Sequence, residues 1–243
     1  MKKISLKLQL FLLLFLFSVF LSLRESDLSF FIKSMVAVIT SAVSDSLYCF
    51  LKTRKLKITE SSLITGLIIG FVLSSAAEWW IFVLSGLFAI SSKHLVRLKG
   101  KHIFNPAAIG VFLVVVLFNQ STRWHGAYSW FLIIPFGLYI VWQSRKVSIV
   151  SVYFLMYIFL WGIQSYYSKM PFIDKVHYAN YFFIFVMLIE PKTSPYYLRE
   201  KITFGLIVSI GAFLLYFSGF PYDADIPALL IGNLLFRLHN QKK

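Results

Sequence analysis

Cysteine and acidic residues are what this 243-residue chain has least of: one Cys and 10 Asp+Glu. The lone thiol, Cys49, excludes an internal disulfide and a four-thiolate metal or iron–sulfur centre. Charged residues of both signs make up 14% of the chain and hydrophobic residues 58%, against about 25% and about 45–50% in a soluble domain. A single soluble core has no room for so much apolar surface, and the mean hydropathy of +0.76 agrees. The balance of 24 basic to 10 acidic residues, +14, therefore does not indicate a soluble nucleic-acid binder or a disordered basic tail. There is no phosphate-binding glycine loop, zinc signature or nucleophile elbow. The histidines, His94, His102, His125, His177 and His239, all fall near loops or ends, so no facing pair is placed to hold a buried haem, and no metal site is expected.

What is present is a series of apolar runs with short polar punctuation. A helix needs about 20 residues to cross a hydrocarbon layer of about 30 Å. Ten spans are expected: Leu8 to Leu23, Ser29 to Leu51, Ser61 to Ser74, Trp79 to Leu95, Ile103 to Phe118, Tyr128 to Gln143, Val147 to Gln164, Tyr178 to Ile189, Ile202 to Ser218 and Ile226 to Phe236. The third, eighth and tenth are short, and short or interrupted spans point to half-helices around a central site. Lys2, Lys3 and Lys7 precede the first span as in a signal peptide. No small-x-small cleavage site follows at Ser22-Leu23-Arg24-Glu25-Ser26, so the span is expected to be retained.

The charges set the orientation. Cytoplasmic loops hold the Lys and Arg. With ten spans only Arg24, Lys33, Arg123, Lys169 and Lys175 lie outside, and every other basic residue falls in an inner segment. The expected fold is an all-α, multi-pass protein of the plasma (cytoplasmic) membrane, with both termini inside. It reads as one polytopic membrane domain over 1–243, with a weak internal repeat of about 1–118 and 128–243. Two repeats of five helices must be inverted. Pro106-Ala107-Ala108-Ile109-Gly110 at the fifth span and Pro227-Ala228-Leu229-Leu230-Ile231-Gly232 at the tenth support the pairing.

Three polar features call for explanation. In Lys101-His102-Ile103-Phe104-Asn105-Pro106-Ala107-Ala108, Asn105-Pro106 marks a helix start. Its free N–H groups, beside Lys93, Arg97, Lys99 and Lys101, suit an anion or phosphate, while the simpler reading is a capped helix beside a positive loop. In Glu190-Pro191-Lys192-Thr193-Ser194-Pro195, a carboxylate at membrane depth is expected to be paired or functional, with Lys192 or the inner Arg145-Lys146 pair as partners. Asp45 falls inside the second span, with three readings open: it snorkels inward, pairs with a helix, or binds a cation or proton. Thr65-Gly66 and Gly70 permit close backbone approach in the third span, with helix packing as the simpler reading.

These strings resemble the NqrB/RnfD family, the membrane subunits of the sodium-pumping NADH:quinone reductase and of the Rnf electron-transport complex. The likeness includes Ile64-Thr65-Gly66-Leu67-Ile68-Ile69-Gly70, Trp79-Trp80, Ala89-Ile90 and the Phe-Asn-Pro motif at 104–106. It continues through Glu190-Pro191-Lys192-Thr193-Ser194-Pro195, Phe204-Gly205, Gly219-Phe220-Pro221 and Ala228-Leu229-Leu230-Ile231-Gly232-Asn233. Asp45 matches an acidic position in the family's second helix. The resemblance implies a ten-helix inverted repeat, membrane flavin, electron transfer with possible cation coupling, and other membrane redox subunits as partners besides the bilayer. It places Lys101, His102, Asn105, Pro106, Glu190, Lys192, Thr193, Ser194, Thr65 and Gly66 as cofactor-binding candidates. The family's covalent FMN site, the Thr of Ser-x-Ala-Thr after the fifth span, is missing: the chain has no Ala-Thr dipeptide, and Thr122 lies in Ser121-Thr122-Arg123. FMN or riboflavin is then expected to be held noncovalently. The alternative is a small-solute or ion transporter or channel on the same inverted repeat.

Overall fold

The computed structural model describes residues 5–127, 129–169, 171–177 and 179–239, and is that of an all-α membrane protein. The helices are α1 (Leu6–Arg24), α2 (Leu28–Thr53), α3 (Glu60–Val72), α4 (Trp79–Leu95), α5 (Pro106–Phe118), α6 (Trp130–Gln143), α7 (Val147–Ser168), α8 (Phe172–His177), α9 (Leu198–Phe217) and α10 (Asp225–His239). A two-residue-per-strand hairpin, β1 (Arg97–Leu98) and β2 (Lys101–His102), precedes α5, and a π-helical turn (Phe183–Met187) precedes α9. Of these, α1, α2, α7 and α9 are each long and apolar enough to cross a bilayer alone.

The chain divides into two compact units, on either side of His125 and Gly126. In the first, α2 packs against α3 and α4, α4 against α5, and α1 against α3. The close approach of α3 to α2 comes from Gly66-x-x-x-Gly70: a Cβ on Gly66 would collide with the backbone of Ala37 and Val38, and one on Gly70 with Ser34. Bringing backbones together over small residues is how helices associate where lipid offers no hydrophobic drive. Gly110 of α5 meets the backbone of α4 at Ser85 in the same way.

The short third helix has a specific solution for its last carbonyls. Lipid cannot hydrogen-bond them, so a later segment does. Arg123 N–H donates to Val72 O at 2.9 Å and His125 N–H to Phe71 O at 2.8 Å, while Ser74 N–H donates to Ser121 O at 3.2 Å. Leu73 and Thr122 form an antiparallel bridge at the centre of this patch. The His125 ring is buried against Phe30, ring centroids 4.2 Å apart.

In the second unit α7 packs along α9, and α10 along α9. Gly205 lets α9 approach Ile149 and Val152 of α7, and Gly232 lets α10 approach Val208. The π-helical turn is wholly buried, with Phe182, Phe183, Met187 and Leu188 out of contact with solvent, and Gly137 of α6 makes room for the Phe185 ring.

Two expected spans take a more specific form. The eighth, expected to be short from Tyr178 to Ile189, has the π-helical turn as its core; Tyr178 lies outside the described residues. The chain is capped by Asn180, whose Oδ1 accepts Phe183 N–H, and then widens to i→i+5 bonding, Leu188 N–H to Phe183 O. The Glu190-Pro191 step ends it, because proline disfavours a helical residue before it. The fifth span starts at Pro106, three residues after Ile103, because Asn105 is its N-cap and Pro106 its first helical residue. With α6 it joins α3 among the short apolar helices.

Candidate functional site

Asp45 lies on α2 with 1% of its surface exposed, and three elements meet it. Thr59, the N-cap of α3, donates its hydroxyl to Oδ2 at 2.6 Å while its own oxygen accepts Ser62 N–H. Lys93 Nζ, from the last turn of α4, lies 2.9 Å from Oδ1. His94 Nε2, the next residue, lies 2.7 Å from the same oxygen. The His94 ring stacks almost parallel on Tyr48 of α2, at 4.8 Å and 7°, and the Tyr48 hydroxyl donates to Ser91. A cation in the last turn of a helix is favoured by the helix dipole, so α4 is suited to deliver Lys93 and His94 there. Asp45 thus pairs with neighbouring helices, its Oδ1 met by Lys93 and His94 of α4 and its Oδ2 by the cap of α3. His94 makes its contact through Nε2 and retains its other ring nitrogen beyond it. Sequence reasoning singled out Asp45 and missed His94. The available signal was a Lys-His pair at the same end of a neighbouring helix as an isolated acid.

The remaining first-unit candidates are largely structural. Asn105 caps α5, its Oδ1 accepting Ala108 N–H at 3.1 Å, and is 2% exposed. Pro106, Ala107 and Ala108 are buried as well, an arrangement in keeping with the simpler reading of a capped helix beside a basic loop. Lys93, expected beside that helix start, is drawn to Asp45. Thr65 returns its hydroxyl to Ser61 O at 2.8 Å, and Gly66 is filled by α2. On β2, His102 is buried and Lys101 exposed.

In the second unit, the string 190–195 forms a loop held from outside by side chains. Arg237 donates to Lys192 O, Asn233 Nδ2 to Thr193 O at 3.4 Å, and Lys146 Nζ to Ser194 O at 3.3 Å and to Pro195 O. Four consecutive carbonyls are therefore each met by a side chain of α10 or by the residue before α7. Within the loop the Thr193 hydroxyl donates to Glu190 Oε2 at 2.8 Å and the Ser194 hydroxyl to Glu190 O at 2.7 Å. Glu190 thus accepts the Thr193 hydroxyl, and its charge acts on Arg237, while Lys146 goes to carbonyls. Lys192 lies on the exposed edge. Burial, reinforced by Lys201, lowers the Lys146 ammonium to about 8.

A flavin can be tested against these residues. The hydroxyls of Thr65, Thr193 and Ser194 each donate within the fold and keep acceptor capacity only, Asn105 Oδ1 is taken by the helix cap, and the space at Gly66 is filled by α2. Lys101 on the exposed hairpin fits a contact to an anionic group such as a phosphate.

The sequence model of the NQR2, RnfD, RnfE family matches residues 2–132. The chain belongs to this family. The match covers α1–α5 and the start of α6, hence Asp45, Thr65, Gly66, Lys101, His102, Asn105 and Pro106; it ends before Glu190. Similar family proteins are each named as the D subunit of an ion-translocating oxidoreductase complex. That of Aeromonas salmonicida (strain A449) is 34% identical over 99 residues, 39% of this chain and 28% of the relative. That of Shewanella sediminis (strain HAW-EB3) is 34% identical over 98 residues, 38% and 28%, and that of Yersinia pestis 35% over 100 residues, 38% and 28%. The chain thus spans little more than a quarter of the length of these relatives.

Proposed function

We propose that this chain is a membrane subunit of an electron-transfer complex of the ion-translocating oxidoreductase kind. It sits in the plasma membrane with ten crossings and both termini inside, and works beside other membrane redox subunits. The observation that carries this reading is the buried Asp45–Lys93–His94 cluster, which lies wholly within the stretch matching the family. A carboxylate, an ammonium and an imidazole at one inner helix end provide a charge-balanced group that can take up or release a proton as charge moves nearby. Asp45 holds Lys93 and orients His94; His94 exchanges the proton. FMN or riboflavin is held noncovalently, with Lys101 on the hairpin as the contact for an anionic group. The flavin, when bound, supplies one- and two-electron chemistry.

The test is purification of the chain in mild detergent with its membrane neighbours, followed by absorbance and mass spectrometry. The expected result is co-purifying redox subunits and a flavin band near about 450 nm that is released on denaturation. A colourless, folded protein that travels alone and takes up no added flavin overturns the reading. Solute uptake by proteoliposomes without an electron donor would favour the transporter alternative.

A further inference from the structure

Two lysines in this molecule point their ammonium groups at pairs of backbone carbonyls, once in each unit. Lys33, in the second turn of α2, donates to Ser75 O at 2.7 Å and to Ala77 O at 2.8 Å. Lys146, the residue before α7, donates to Ser194 O and Pro195 O. In both cases the carbonyls belong to an irregular segment that follows an interrupted element: 73–78 after the short α3, and 190–195 after the π-helical turn. In both cases the lysine belongs to the start of a longer membrane helix.

The position of Lys146 is unfavourable for a cation by every local criterion. It sits at a helix N-terminus, where the dipole repels positive charge. It is 4% exposed, and Lys201 lies close by. Something must compensate, and the groups in contact with the ammonium are carbonyl oxygens. Unwound carbonyls at the ends of broken helices are a known way of binding Na⁺ within a membrane. An ammonium is a compact point charge on a flexible stem, and it can stand in for such an ion.

We propose that Lys33 and Lys146 are tethered cations. Each occupies a carbonyl site whose chemistry is that of a monovalent metal-ion site, and each makes the local fold independent of free Na⁺ or K⁺. Two consequences follow. A mobile coupling ion is excluded from both carbonyl pairs while the lysines are in place. Removing the side chain exposes a latent site that takes a free alkali cation. This inference does not depend on whether flavin is bound.

The experiment uses full-length protein in detergent at pH 7, with thermal unfolding followed at constant ionic strength in NaCl, KCl or choline chloride. The wild type is expected to unfold at the same temperature in all three. Lys33→Ala and Lys146→Ala are expected to be destabilised in choline chloride. NaCl or KCl should raise them by roughly 5 °C in a saturable way, as a ligand that binds only the folded state does. Lys146→Met fills the space with an uncharged chain and is expected to show no alkali-cation rescue, which separates site binding from a general salt effect. Lys33 is only half-buried, so Lys33→Ala carries the test if Lys146→Ala does not fold. Equal behaviour of the folded alanine variants in sodium, potassium and choline salts overturns the proposal. So does a wild type that responds to Na⁺ or K⁺ as strongly as the variants.

Discussion

The ammonium of Lys93 lies 2.9 Å from Oδ1 of Asp45, joining α4 to α2 through a pair from which water is almost entirely excluded. Removing one partner of such a pair leaves a buried charge uncompensated, at a cost of about 3–5 kcal/mol. Asp45→Ala and Lys93→Ala are each expected to lose that much in detergent unfolding. Asp45→Leu with Lys93→Leu, which removes both charges, is expected to recover most of it. If the double variant is as unstable as the singles, the pair does not account for their loss.

Glycine positions separate packing from propensity. Gly66→Ala puts a methyl into the backbone of α2, which has no flexible end to move aside, and is expected to cost about 1–3 kcal/mol or more. Gly211→Ala meets only Ala228, at 3.6 Å, and is expected to gain about 0.5–1 kcal/mol from helix propensity. Detergent unfolding of the two single variants checks both signs. A harmless Gly66→Ala would mean that α2 and α3 are not in backbone contact.

Acidification bears on the end of the first unit that holds His125. Burial, with Arg123 adding repulsion, lowers His125 from 6.5 to about 4. The folded state therefore binds fewer protons than the unfolded chain between those values. Stability is complete above about pH 6.5 and falls as pH drops toward 4, by up to about 3 kcal/mol. Glu25, whose carboxyl is held up by burial, works in the opposite direction and trims the slope; Asp27 also faces the ring. His125→Phe keeps the stack on Phe30 and is expected to flatten the profile, read as unfolding midpoint against pH. An unchanged slope in His125→Phe would assign the acid sensitivity elsewhere.

Alkaline pH tests the second unit with the opposite window. Lys146 titrates near 8 in the folded state against 10.5 in the unfolded chain, so its burial destabilises the fold while both states are charged or becoming so. Stability is expected to rise as pH increases from about 8 to about 10.5, by an amount on the order of 3 kcal/mol at most. The rise should be missing in Lys146→Met. Unfolding midpoints measured across that range decide it.

The helical frame was readable from hydropathy because each apolar run is bounded by a cap or a breaker: Asp27, Thr59 and Asn105 all close helix starts that their residue types announce. The π-helical turn at Phe183–Met187 was not readable, since apolar residues give the same pattern in either helix. The hairpin at 97–102 hid inside what looked like an ordinary basic loop. At the site, Asp45 stood out as a charge at membrane depth, but its partners come from residues 14 and 48–49 positions away. The lysine–carbonyl contacts had no signature at all, because a backbone oxygen looks the same at every position in a sequence.

The bridge between Leu73 and Thr122 also sets an order of events in time. The last carbonyls of α3 are satisfied by N–H groups of Arg123 and His125, which the ribosome delivers some fifty residues later. Until α5 has been made and the chain has reached His125, α3 ends in the bilayer with unmet backbone groups. Maturation of the first unit is therefore set by the arrival of its final five residues, and not by the insertion of any single helix. A nascent chain arrested short of residue 121 holds every helix of that unit and still lacks the segment that closes it.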